Sequence, residues 1–126
     1  MKLINKNRKK IIKNDSLETI VKWTGDGTDT LTLDSLVTPS QTLVGTRLVN
    51  ILAVSTSVSA AGIATITRNS EVVLHMHDNF EFQTDGIISA VLNENNSHPI
   101  VVTLAAPGTI IVRLRKIGGF DPYQPV

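Results

Sequence analysis

A chain of 126 residues with twelve Lys and Arg, eleven Asp and Glu and a formal net charge of +1 is long enough for one domain with a single modest core, and two domains would be difficult to fit. It contains no cysteine, which excludes disulfides, thiolate metal sites and a cysteine nucleophile. Val, Ile and Thr make up 40 residues and Trp, Tyr and Phe only five, a composition that favours strands around an aliphatic core and argues against an aromatic platform for bases or sugars.

Charge is unevenly spread along the chain. Residues 1–13 carry Lys2, Lys6, Arg8, Lys9, Lys10 and Lys13 with no acid, a local +6, whereas the remainder holds six basic and eleven acidic residues, a local −5. Self-repulsion discourages such a leader from folding alone. Residues 1–16 therefore read as a basic arm, detached from a body at 17–117 and suited to an acidic surface, either a neighbouring subunit or nucleic acid. Leu3, Ile4, Ile11 and Ile12 are interleaved with the cations and favour protein, since apolar side chains gain from burial and little from phosphates. Asn14, Asp15 and Ser16 follow in place of an apolar signal core, and no run of about 18 apolar residues occurs. The expectation is a protein made and kept in a cytoplasm, without membrane contact.

From Ser16 onward, short apolar runs alternate with turn-forming clusters. Candidate strands are 18–24, 30–36, 47–57, 62–68, 71–77, 80–84, 87–93, 100–105 and 109–117. Leu31 and Leu33 lie between threonines, Phe80 and Phe82 flank Glu81, and Ile110, Val112 and Leu114 oppose Arg113 and Arg115, a period of two that puts each apolar set on one face. Residues 47–57 are apolar on both faces, as expected of a central strand or of one buried at a subunit contact. Gly25-Asp26-Gly27, Asn69-Ser70, Asp78-Asn79, Asp85-Gly86, 93–97 and Pro107-Gly108 supply turn chemistry. Mostly short connections predict an antiparallel β-sandwich, jelly-roll-like, of about eight strands. The tail, 118–126, is too rich in Gly and Pro for regular structure. Its Phe120 and Tyr123 nevertheless suit anchors onto the body or a neighbour.

Chemistry-bearing patterns are sparse. His75 and His77, at i and i+2 on one strand, project from the same face and reach toward one metal if His98, Asp78 or Glu81 joins them; the competing reading is the polar face of a strand whose inner face is Val72, Leu74 and Met76. Asp26, Asp29 and Asp34 surround glycines without the calcium-loop spacing, so a hairpin explains them better. No nucleophile elbow, phosphate loop or paired-histidine zinc motif occurs. The expectation is a protein that is not an enzyme and uses no metal or cofactor.

The stretch Trp23-Thr24-Gly25-Asp26-Gly27-Thr28-Asp29-Thr30-Leu31-Thr32-Leu33 resembles the hairpin openings of small β-rich virion proteins of tailed bacteriophages, and 62–77 and 109–119 are similar in texture. The resemblance spans about 18–119 and rests on no diagnostic motif. It implies a structural part of the virion, assembled in the host cytoplasm: a capsid decoration (cement) protein, or a component of the head-tail junction, tail or fibre. The implied partners are the major capsid protein or neighbouring subunits, with the N-terminal arm binding the shell, the β-sandwich self-associating into a homo-oligomer, and nucleic acid as the rival partner. Independently of the resemblance, Leu3, Ile4, Arg8, Lys9, Lys10, Phe120 and Tyr123 are the candidate contact residues.

Overall fold

The computed structural model describes residues 8–58, 63–77, 80–83 and 97–122. Among these residues seven strands join in one sheet: β1 (Arg8–Asn14), β2 (Glu18–Leu31), β3 (Gln41–Val58), β4 (Ile63–Arg68), β5 (Glu71–His77), β6 (Phe80–Gln83) and β7 (Ile100–Pro122). Every pairing is antiparallel. Among the described residues the single helical element is a 3-10 turn, Leu33–Leu36, and no helix is long and apolar enough to cross a membrane. The expected all-β, antiparallel class is the one observed.

The pairing reduces to a simple scheme centred on β7. On one side β2 follows it from Glu18↔Arg115 to Gly25↔Gly108 and, after a register shift, from Gly27↔Leu104 to Leu31↔Ile100. The other side is shared in series by β3, from Gln41↔Pro122 to Val58↔Gly108, and β4, from Ala64↔Leu104 to Thr67↔Val101. β6 lies on β3 and β5 on β4. The sheet therefore has two halves that meet at the level of Gly108.

Both halves contribute side chains to one core. A straight strand as long as β7, at 23 residues, would run for ~75 Å, whereas a compact chain of this length is roughly 35 Å across. The chain's accessible surface is 6859 Å², against roughly 6,600 Å² expected for a compact protein of this mass. Ile100, Val102 and Leu104 before Gly108, and Ile110, Val112 and Leu114 after it, all belong to one core cluster. The even-numbered face of β7 thus faces the core on both sides of Gly108. Gly25 (φ 115°) and Gly27 (φ 110°) supply the left-handed backbone of the shift in β2. Gly108 is required by proximity: a Cβ there would stand 2.5 Å from Val58 Cγ1 and 2.7 Å from Ser57 O.

Several sequence expectations are corrected here. Gly25-Asp26-Gly27 and Pro107-Gly108 lie inside continuous strands and do not reverse the chain; glycine and proline mark a change of course, and a bend satisfies them as well as a hairpin does. Residues 30–36 are not one strand, because β2 ends at Leu31 and Leu33–Leu36 wind into the turn that buries Leu33 and Leu36. The two-faced apolar run 47–57 arises from a bulge at Leu52. Val49 and Ile51 face the core before it, and Val54 and Val58 after it, since one extra residue exchanges the faces. Asn69-Ser70 does close a hairpin, with φ 53° and 66°, the pair of positive φ values that a two-residue turn needs. The expected strand 87–93 lies outside the described residues.

The ends differ as well. Arg8–Asn14, read as part of a detached arm, forms β1 and pairs with β2 from Arg8↔Thr24 to Asn14↔Thr19, with a bulge at Ile12. Acids on the body offset its charge: Lys9 Nζ lies 3.6 Å from Asp29, and Lys13 Nζ lies 3.5 Å from Asp15 and 3.2 Å from Glu18. At the turn, Asp15 Oδ1 accepts the N–H groups of Leu17 (2.9 Å) and Glu18 (2.8 Å). At the other end, residues 118–122 continue β7, with Leu43↔Phe120 and Gln41↔Pro122, where irregular chain was expected. Residues 1–7, with Leu3 and Ile4, and 123–126, with Tyr123, lie outside the described residues.

Candidate interaction surface

Two cations sit where the strand alternation places them, inside. Lys116 extends the buried series Ile110, Val112, Leu114 and is 6% exposed. Its Nζ donates to Asp15 O (2.8 Å), Leu36 O (2.6 Å) and Gln41 Oε1 (2.9 Å), which accounts for all three ammonium protons, and it lies 5.0 Å from the centroid of the Phe120 ring. Burial lowers the Lys116 pKa below the ordinary lysine range, while the charge of Asp15 pulls it back up. Arg68 extends Ala64 and Ile66 and is 1% exposed. Its Nη1 donates to Val49 O (2.7 Å), and its Nε and Nη2 donate to His98 O (3.1 and 2.8 Å). Burial pushes its pKa down to about 10, so it stays charged at neutral pH. Both residues tie strands to loops. Sequence reasoning passed over both, although the signal is present: each is a cation at i+2 from an apolar residue on a period-two face.

The opposite face of the β1-β2-β7-β3-β6 half can be written row by row from the registers. Lys10, Lys22, Ile111, Ser55 and Glu81 form one row, and Lys13, Ile20, Arg113 and Ala53 the next. Glu18, Arg115 and Asn50 form a third. Five cations thus share this face with two acids. Glu18 is committed: it accepts from Arg113 Nε at 2.8 Å and from Lys13 Nζ at 3.2 Å, and these two bonds hold its pKa below the usual carboxylate range. The bond to Glu18 raises Lys13 in turn. Lys10 and Lys22 stand directly opposite each other across the β1-β2 ladder, and neither has an ion-pair partner among the described residues. Directly opposed like charges destabilise a sheet. Beside Lys22, the residues Ile20, Ile111, Ala53, Ser55, Glu81 and Arg113 line a depression of about 170 Å³, less than the ~300 Å³ from which small-molecule sites begin.

No protein-family model and no curated protein matches this chain. Its chemistry is therefore read from the placement of its own residues.

The candidate residues separate. Lys9 shares Asp29 with Trp23, whose buried indole N–H donates to Asp29 Oδ2 at 2.8 Å, so it is engaged within its own sheet. Lys10 faces outward and is exposed. Phe120 packs against the core and is held over Lys116. Arg8 takes part in β1 through its backbone. His75 is exposed on β5, opposite Thr65, and the carbonyl of His98 accepts from Arg68 Nη2. Among the described residues no group of three or more His, Asp or Glu converges as metal ligands would. The inner face expected of β5 is only partly so, since Met76 is buried and Leu74 half-buried but Val72 is 63% exposed. Of the three aspartates near the glycines, Asp29 meets Trp23 and Lys9, and Asp34 meets Arg47 Nε at 2.8 Å.

Proposed function

We propose that the chain is a non-enzymatic structural protein of a virus particle, most specifically a capsid decoration protein. In this reading the two halves of the sheet close as the layers of a β-sandwich, and the body associates with other copies and with the shell. One observation carries it: Ile11, Ile12 and Leu17, three of the six large hydrophobic side chains exposed among the described residues, fall within seven residues of β1 and its turn. They lie among Lys9, Lys10 and Lys13. Single exposed aliphatics are ordinary, whereas a cluster rimmed by charge suits a protein contact.

The test is location. An antibody to the chain, applied to gradient-purified particles from the cells that produce it, should label the shell. Label at the junction, tail or fibre would select the alternative positions, and recovery of the chain only from the particle-free fraction would overturn the reading. A second reading, nucleic-acid binding, draws on the opposed Lys10 and Lys22. It calls for association with DNA or RNA that weakens steeply as salt rises.

A further inference from the structure

We infer that the outward face of the β1-β2-β7-β3-β6 half receives an extended, acidic segment of a partner protein, with carboxylates on Lys10 and Lys22 and one bulky apolar side chain in the depression beside them. This rests on reading the chain as an assembly protein and goes further by naming the partner's chemistry.

Lys10 and Lys22 supply two cations of this face that lack an ion-pair partner among the described residues. Side by side on neighbouring strands and without an acid of their own chain among the described residues, they repel each other until an anion arrives. Next along the same row come Ile111, Ser55 and Glu81. Neighbouring strands are about 4.8 Å apart, so on the floor of the depression Ile111 is one strand step from Lys22, and Ile20 lies two residues along β2 from it. In an extended segment, residues i and i+2 point to the same side and lie about 6.7 Å apart. A ligand crossing the strands can therefore set a carboxylate over Lys22 and its second neighbour over the floor, in the order acid, any residue, apolar residue. A further acid two positions before reaches Lys10.

Size and charge restrict the occupant. The depression holds about 170 Å³, room for one large side chain. Glu81 on its far rim repels a second anion, so the acids lie on the β1 side and the ligand's direction is set. A nucleic acid fits less well: its phosphates repeat in both directions and would meet Glu81, and it gains little from an isoleucine floor. No aromatic side chain stands in the described rows of this face to stack a base.

The experiment titrates the full chain, followed by NMR chemical shifts, with the capped peptide Glu-Ser-Glu-Ser-Leu, with its Leu→Gly version, and with a short oligothymidylate. Two variants accompany it. K10E/K22E reverses the anion site, and S55F fills the depression from a position whose side chain points away from the core. Circular dichroism should find both folded like the parent. The expected result is shifts at Lys22, Ser55 and Ile111, with affinity for the Leu peptide falling about tenfold in either variant and on removal of the Leu, the equivalent of ~1.4 kcal/mol. Oligothymidylate binding that exceeds the peptide's and ignores S55F would overturn the inference in favour of nucleic acid. Equal binding by parent and variants, or no binding of the peptide, would overturn it outright. Particles labelled by the antibody despite such a result would leave the structural-protein reading intact, and unlabelled particles would remove that reading while the peptide result stood.

Discussion

Replacing Lys116 by methionine is the sharpest probe of how this sheet is held together. The change keeps the aliphatic stem among Ile110, Val112 and Leu114 but deletes three donors at once. Two acceptors retain other partners: Leu36 O is also reached by Asn14 Nδ2 at 2.9 Å, and Gln41 Oε1 by the Thr38 N–H at 3.2 Å. Asp15 O relies on Lys116 at 2.8 Å. An acceptor left without its donor costs about 1–3 kcal/mol, and weakening the other two adds to that. Against this, the variant avoids burying an ammonium. The net expectation is a loss of about 2 kcal/mol. For 126 residues, unfolding entropy near 2.1 cal/mol/K per residue converts this to a fall in Tm of roughly 8 °C.

The assay is thermal and urea unfolding of K116M beside the parent at neutral pH, repeated at alkaline pH. The folded-state pKa of Lys116 is depressed, so the unfolded chain binds the proton more tightly. The charge penalises the native state below the folded pKa, and that penalty is relieved as pH rises toward the unfolded value of 10.5. The stability gap between parent and K116M should therefore widen across that window. A variant as stable as the parent at neutral pH, or a gap that narrows with rising pH, would show that these three bonds do not hold the loops as argued.

Gly108→Ala places a Cβ 2.5 Å from Val58 Cγ1 and 2.7 Å from Ser57 O, so β3 and β7 must separate at the level where the halves meet, and urea unfolding should reveal a loss of about 2 kcal/mol or more; an unchanged midpoint would place the two strands further apart than described. Glu18→Gln loses the charge of the Arg113 and Lys13 pairs, at under about 1 kcal/mol for so exposed a cluster. Because the folded pKa of Glu18 is depressed, its contribution is present above the unfolded value of 4.5 and lost as pH falls through the folded value, so parent and E18Q should converge in acid.

Strand chemistry was legible because it is local. Alternation at Ile110, Val112 and Leu114 fixed which face of β7 is buried, and Asn69-Ser70 marked a true hairpin. What the sequence could not reveal was which punctuation reverses the chain and which bends it. Gly25 and Gly108 are cross-strand partners, and their shared role depends on residues 83 positions apart lying side by side. The bulge at Leu52 was hidden for a similar reason: a continuous apolar run looks the same whether a strand is covered on both faces or exchanges faces midway. The basic leader misled through composition. Six cations predict repulsion in an isolated segment, yet Asp15, Glu18 and Asp29 receive Lys9 and Lys13 once the hairpin forms. The interaction surface was the least legible part, because Lys10 and Lys22 become neighbours only through the β1-β2 register.

That register also restricts how the chain can meet others. Among the described residues β1 is an edge strand, and such an edge invites another strand to add to it. Here the edge carries Lys9, Lys10 and Lys13 and is broken by a bulge at Ile12, the devices by which proteins discourage strand addition. A partner approaching this side is turned away from the ladder and meets side chains: Ile12 and Leu17 around the strand and its turn, Lys10 and Lys22 on the outward face. The cations that read in the sequence as a free tether act here as part of the folded sheet. Removing residues 8–13 would uncover β2 along with deleting charge, so charge reversal at Lys10 and Lys22 separates recognition from folding where truncation cannot.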